Sequence, residues 1–171
     1  MKNFSISLTL GIAIAVLFFC GCGKKSNLPD NFPEIAPCEI AVTQDGKPLA
    51  DALVTLIPQN IATPYAQGCT GITDETGKAS LRTYGQIGVP LGKYKVVISK
   101  TKDEDGTETT DENGVKIQIG QKVYSYVEKK YTQENSTPYE IDVIQVKRKD
   151  VNFLQCEVGK AIREFLRNSG N

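Results

Sequence analysis

Hydrophobic and polar positions alternate along most of this chain, but its first part has no alternation. Residues 3 to 23 carry no charge and contain the apolar run LTLGIAIAVLFF (8 to 19), with Lys2 in front and FFCGCGKK (18 to 25) closing it. A positive start, an apolar core of roughly 7 to 15 residues and then small residues is the layout of a secretory signal peptide. A spanning helix needs about 20 apolar residues, and Ser5 and Ser7 interrupt the run. Lys24 and Lys25 favour the cytoplasmic side of a bilayer, which argues against an uncleaved anchor ending outside. Residues 23 to 37, GKKSNLPDNFPEIAP, have prolines at 29, 33 and 37 and no apolar period. They read as a semi-extended tether reaching about 45 Å at about 3.1 Å per residue.

Period-two alternation begins at CEIAVTQ (38 to 44), with Cys38, Ile40 and Val42 on one side. DGKP (45 to 48) is a turn signal, and ALVTLIP (52 to 58) alternates again. YAQGCTGI (65 to 72) is looser and leads into TDETG (73 to 77), whose Asp and Gly suit a tight turn. KASLRTY (78 to 84) places Ala79, Leu81 and Thr83 together, and GKYKVVISK (92 to 100) does so with Tyr94, Val96 and Ile98. After the polar, acidic stretch 101 to 114 come VKIQI (115 to 119), VYSYV (123 to 127), YEIDVIQV (139 to 146) and VNFLQC (151 to 156). Short strands spaced by turn signals predict an all-β sandwich, with a core domain over 38–157. In the tail 158–171, Val158, Ala161, Ile162, Phe165 and Leu166 fall at helical spacing and predict a short C-terminal helix. TDETGKASL (73 to 81) and TDENGVKIQI (110 to 119) echo each other, which two turns of the same chemistry explain more simply than a duplication.

Composition narrows the chemistry. The 171 residues carry 20 basic and 20 acidic side chains, so no basic excess is available for nucleic acid. Histidine is absent, which removes the usual general base and the commonest zinc ligand. Serines lack a nearby base, and no phosphate-cradling glycine loop occurs, so neither an enzyme nor a cofactor is expected.

The N-terminal segment resembles the signal peptides of bacterial lipoproteins, in which a small residue precedes a cysteine that is lipidated on sulfur and then becomes the first residue. Cys22 lies between Gly21 and Gly23, whereas Cys20 follows bulky Phe19. Phe19 itself departs from the leucine usual three positions upstream. The resemblance implies a signal peptide over 1–21, acyl (palmitate-type) attachment at Cys22, a lipidated tether over 22–37 and a membrane as the first partner. The runs DGKPLADALV (45 to 54), TDETGKASL (73 to 81) and GVPLGKYKV (88 to 96) resemble the transthyretin-like, or carboxypeptidase regulatory-like, domain, over about residues 38 to 146. That resemblance implies a prealbumin-like seven-stranded β-sandwich used for association rather than catalysis. Hydrolases of this fold depend on histidines that this chain lacks.

Three further candidates stand beside these. Asp103, Glu104, Asp105, Glu108, Asp111 and Glu112 could offer calcium several carboxylates, but Thr101 stands where the first aspartate of an EF-hand belongs, so a solvated loop is expected. Processing leaves Cys38, Cys69 and Cys156, an odd number; Cys38 with Cys69 is the candidate disulfide, and a buried thiol suits the inward Cys38 as well. Tyr124 and Tyr126, with Tyr131 and Tyr139, could present an aromatic strip to sugar rings, although packing is the commoner use of such residues. The expected function is a lipid-anchored envelope protein with a non-catalytic binding or scaffolding domain for an envelope protein. The alternative is a carbohydrate-binding or adhesion module acting through its tyrosines.

Overall fold

The turn signals and alternating runs become strands in the computed structural model, which describes residues 32–59, 68–104, 107–110, 112–119 and 121–169. The signal peptide and Cys22 lie outside the described residues, as does the tether up to Asn31. In chain order come β1 (Ile35–Ala36), β2 (Cys38–Gln44), β3 (Lys47–Pro48), β4 (Leu53–Pro58), β5 (Cys69–Ile72), β6 (Lys78–Ser80), β7 (Arg82–Thr83), β8 (Gln86–Ile87), β9 (Val89–Pro90) and β10 (Gly92–Ser99). The second half holds β11 (Thr101–Glu104), β12 (Thr107–Thr110), β13 (Lys116–Ile119), β14 (Gln121–Ser125), a 3-10 turn at Lys129–Tyr131, β15 (Glu140–Val143), β16 (Asn152–Glu157) and β17 (Glu164–Ser169). The fold is all-β, and one compact unit runs from Asn31 to Asn171.

Two sheets share the core, an arrangement consistent with a β-sandwich. One has the order β15-β10-β4-β5-β7-β8; in the other β2 lies between β16 and the pair β3 and β6. The inward set Cys38, Ile40 and Val42 meets Val54, Leu56, Tyr94, Val96 and Ile98 from the opposite sheet, all almost completely buried. Removing that apolar area from water, at about 25 cal/mol per Å², is the main force holding the sheets together. The pairing of β16 with β2 is parallel, Asn152 opposite Cys38 through Glu157 opposite Thr43, which adds Cys156 to the same core.

The turn motifs converge on β2. Asp45 and Gly46, at φ 51° and 72°, form the two-residue loop of the β2–β3 hairpin, the primed turn for which Asp-Gly is suited. Val42 then donates its N–H to Gly77 of the second turn and accepts from Leu49 N–H. Gly77 sits at φ 75°, and a Cβ there would lie 2.5 Å from the Val42 carbonyl oxygen. Glycine is therefore required twice over, by backbone angle and by contact.

Two expectations are corrected. The acidic stretch after Ser99 is not a plain loop: β11 pairs with β14, and β12 pairs with β13. In the β11–β14–β17 sheet, β11 is mostly exposed while β14 buries Val123 and Ser125 on one side. The predicted C-terminal helix is a strand, β17, antiparallel to β14. Val158 is buried in the main core, Gly159 turns at φ 72°, and Asp45 accepts the Ala161 N–H through Oδ2. Those contacts consume one apolar residue of the helical stripe and redirect the chain, leaving Phe165 and Leu166 about half exposed on a bulged strand.

Candidate functional site

The strand over residues 78–83 changes sheets. Its first half, β6, pairs with β2, whereas Arg82 in β7 pairs with Thr70 of β5. Leu81, at the crossing, donates its N–H to the Cys38 carbonyl and is wholly buried. The crossing needs β5 close to β6: a Cβ on Gly71 would lie 3.0 Å from the Ser80 carbonyl oxygen. With Ala79, Leu81 and Thr83 inward, Lys78, Ser80 and Arg82 necessarily face out.

These outward side chains line an open groove of about 580 Å³ at the corner of the sandwich, together with Thr70 and Ile72 of β5. Its ends are two turns. At one, Asp74 Oδ1 accepts from the Thr76 N–H, the Thr76 hydroxyl and the Lys78 N–H, and the Thr76 hydroxyl contributes most to holding this carboxyl below its ordinary range. At the other, Tyr84 and Gly85 form the two-residue loop of the β7–β8 hairpin. Tyr84 adopts φ 48°, a left-handed angle that disfavours residues other than Gly, Asn and Asp. Its ring packs edge-on against Phe32 with centroids 6.3 Å apart.

Charge in the groove is uneven. Lys78 is paired with Glu39 at 3.2 Å. Arg82 Nη1 donates to the Gly85 carbonyl at 3.3 Å, and among the described residues no carboxylate pairs with it. Thr70 and Ser80 supply hydroxyls that bond no other group among the described residues. The arrangement offers one oriented guanidinium, two hydroxyls and an apolar wall.

Tyr124 of β14 and Tyr126 just beyond its end are brought together, but both are engaged. The Arg163 guanidinium lies 3.8 Å above the Tyr124 ring, whose edge contacts Phe165 with centroids 5.8 Å apart. Tyr126 donates its hydroxyl to Glu104 Oε1 at 2.8 Å, and Arg163 grips both oxygens of the same carboxylate. Arg163 and then Tyr126 hold the Glu104 carboxyl down to about 2. Tyr131 and Tyr139 belong elsewhere: their rings stack at 6.0 Å, and the Tyr139 hydroxyl bonds the Glu157 backbone through both N–H and carbonyl. The four tyrosines therefore form two clusters, not one strip.

Cys38, Cys69 and Cys156 are buried cysteines; of the two readings of Cys38, the inward thiol is the one seen, and the candidate Cys38–Cys69 pair is not bridged. Burial first, then the neighbouring Cys69, raises Cys38 to about 12. Cys69 Sγ instead lies 3.1 Å from the Thr83 hydroxyl. Of the acidic candidates, Asp105, Asp111 and the Glu108 side chain lie outside the described residues, and Glu104 is committed to Arg163. No group of three metal-ligating side chains occurs among the described residues.

The sequence reading missed Arg82, Thr70, Ser80 and Arg163. The first and third were available as the outward complement of Ala79 and Leu81; Arg163 was hidden by the helical reading of its segment. Comparisons with family models, with curated proteins and with solved structures return no match.

Proposed function

We propose that the protein is a membrane-anchored cell-envelope lipoprotein, exported and held by acyl chains on Cys22, whose prealbumin-like β-sandwich is a non-catalytic binding or scaffolding domain. The observation that carries this reading is the succession along the chain: an export and lipidation pattern ending at Cys22, then a proline-containing segment, then a compact unit from Asn31 onward. The likeness to a carboxypeptidase regulatory-like domain is supported by seven strands around the shared core, β2, β4, β5, β10, β15, β16 and the sheet-changing strand 78–83. Several acyl chains together anchor firmly, where one chain alone binds only marginally. No helix among the described residues is long and apolar enough to cross a membrane.

The test is metabolic labelling with a palmitate analogue, followed by membrane fractionation. Cys22→Ala should abolish labelling and membrane retention, and Cys20→Ala should preserve both. The reverse result would move the attachment site by two residues, and labelling of neither position would end the lipoprotein reading. A glycan platform made of Tyr124 and Tyr126 is the weaker reading, because Arg163 already covers one ring and Glu104 takes the other hydroxyl.

A further inference from the structure

We propose that the corner groove binds a carboxylate-bearing saccharide, with Arg82 taking the carboxylate, Thr70 and Ser80 bonding ring hydroxyls, and Tyr84 and Ile72 meeting the apolar face of the ring. The inference rests on reading the domain as a binding module. It moves any saccharide contact away from Tyr124 and Tyr126.

Size comes first: about 580 Å³ lies within the range of small-molecule sites, roughly 300 to 1,000 Å³. Main-chain pairing is already taken up at Thr70, which is paired on both sides, with Thr55 of β4 and with Arg82 of β7. A peptide adding itself as a strand finds no free edge at Thr70, so a ligand there is read by side chains. The side chains are of three kinds. Arg82 is tied at Nη1 to the Gly85 carbonyl and keeps its remaining donors, a planar fork suited to a carboxylate. One uncompensated cation suits a single carboxylate better than a phosphate, for which several cations or a cradle of N–H groups are usual. Thr70 and Ser80 can each donate and accept, as sugar hydroxyls require. Ile72 is 68% exposed and Tyr84 58%, next to these hydroxyls. Apolar surface beside hydroxyls matches a pyranose ring, which has an apolar face and a polar rim. The edge contact with Phe32 restricts the Tyr84 ring before a ligand arrives.

The test uses the full chain purified in detergent, titrated calorimetrically with tetragalacturonate, its methyl ester, N-acetylglucosaminyl-N-acetylmuramic acid and tetraglutamate. At least one acidic saccharide should bind tighter than about 1 mM, with the ester at least about tenfold weaker. Arg82→Ala should remove binding, Arg82→Lys should weaken it about tenfold, and Thr70→Val or Ser80→Ala should each weaken it several-fold. All four variants should keep the parental melting temperature within a few degrees, because these side chains lie at the surface. Binding that survives Arg82→Ala overturns the proposal, as does absence of binding by both acidic saccharides. Equal affinity for tetraglutamate overturns it in favour of an acidic peptide. A chain that is acylated at Cys22 yet binds none of these loses the groove assignment alone; a chain that binds but is never acylated loses the lipoprotein reading alone.

Discussion

Thr73 opens the TDETG turn and is only 2% exposed. Its hydroxyl donates to the Leu49 carbonyl at 2.6 Å and accepts the Ala52 N–H at 2.8 Å, while its own backbone bonds Asp51 and Ala52. One side chain thus ties the DGKPLADALV segment to the turn that precedes the sheet-changing strand. Thr73→Val keeps the shape but leaves a buried donor and a buried acceptor unpaired, each costing about 1 to 3 kcal/mol. Urea unfolding of the full chain should show a loss of about 2 to 4 kcal/mol. Thr76→Val, in the same turn but exposed, should cost less than about 1 kcal/mol. A Thr73→Val variant as stable as the parent would show that water or backbone movement satisfies both groups.

At the scale of elements, β17 is held to its sheet by polar clasps rather than by a core. Arg163 grips Glu104 of β11 and lies on Tyr124 of β14, and Tyr126 bonds the same carboxylate. Arg163→Lys keeps the charge and loses the fork and the planar stack. Amide exchange in β17 should become several-fold faster with little change in global melting; unchanged protection of Glu164–Ser169 would disprove the clasp. Because the folded Glu104 carboxyl is lowered to about 2, its contribution is present above its ordinary range near 4.5 and is lost as pH falls toward 2. The clasp should therefore persist at pH 4 and open near pH 2. This element was not legible from the sequence, and the reason is physical. Val158, Ala161, Ile162, Phe165 and Leu166 do carry a helical period, but Val158 belongs to the main core and Gly159 breaks the run before a helix could use it. Phe165 and Arg163 get their partners from residues about 40 and 60 positions earlier, a tertiary choice that local spacing does not encode. Where a strand buries one face, as in CEIAVTQ or GKYKVVIS, period two predicted both the element and its inward side. The groove was half legible: the inward register of Ala79 and Leu81 implied outward Lys78, Ser80 and Arg82, but not that this strand changes sheets at Leu81 and so splays them around a depression.

The whole molecule places three thiols and Tyr94 inside one cooperative core, and this sets its behaviour in alkali. Burial raises Cys38 and Cys156 from 9.0 to about 12, and it raises Cys69 and Tyr94 as well. A raised folded value means that the native state keeps its proton where the unfolded chain has lost it. The stability contributed is complete below the unfolded value near 9, and it drains away as pH climbs toward 12. Cys38 and Cys156 each contribute a slope of about 1.4 kcal/mol per pH unit in that window, so the two together reach about 3 kcal/mol per unit, and the raised Cys69 acts in the same direction. Against a typical total of about 5 to 15 kcal/mol, that slope should unfold the protein within a few pH units above 9. Urea midpoints measured at pH 7.5, 9.5 and 10.5 should fall steeply between the last two, whereas Cys156→Ala, although less stable at pH 7.5, should show a clearly shallower fall than the parent. Iodoacetamide should label Cys38, Cys69 and Cys156 slowly in the native chain and all three at once in urea without reductant, since none is bridged. A urea midpoint that stays level from pH 7.5 to 10.5, or rapid labelling of the native protein at pH 8, would mean that these thiols are reached by water in the folded state.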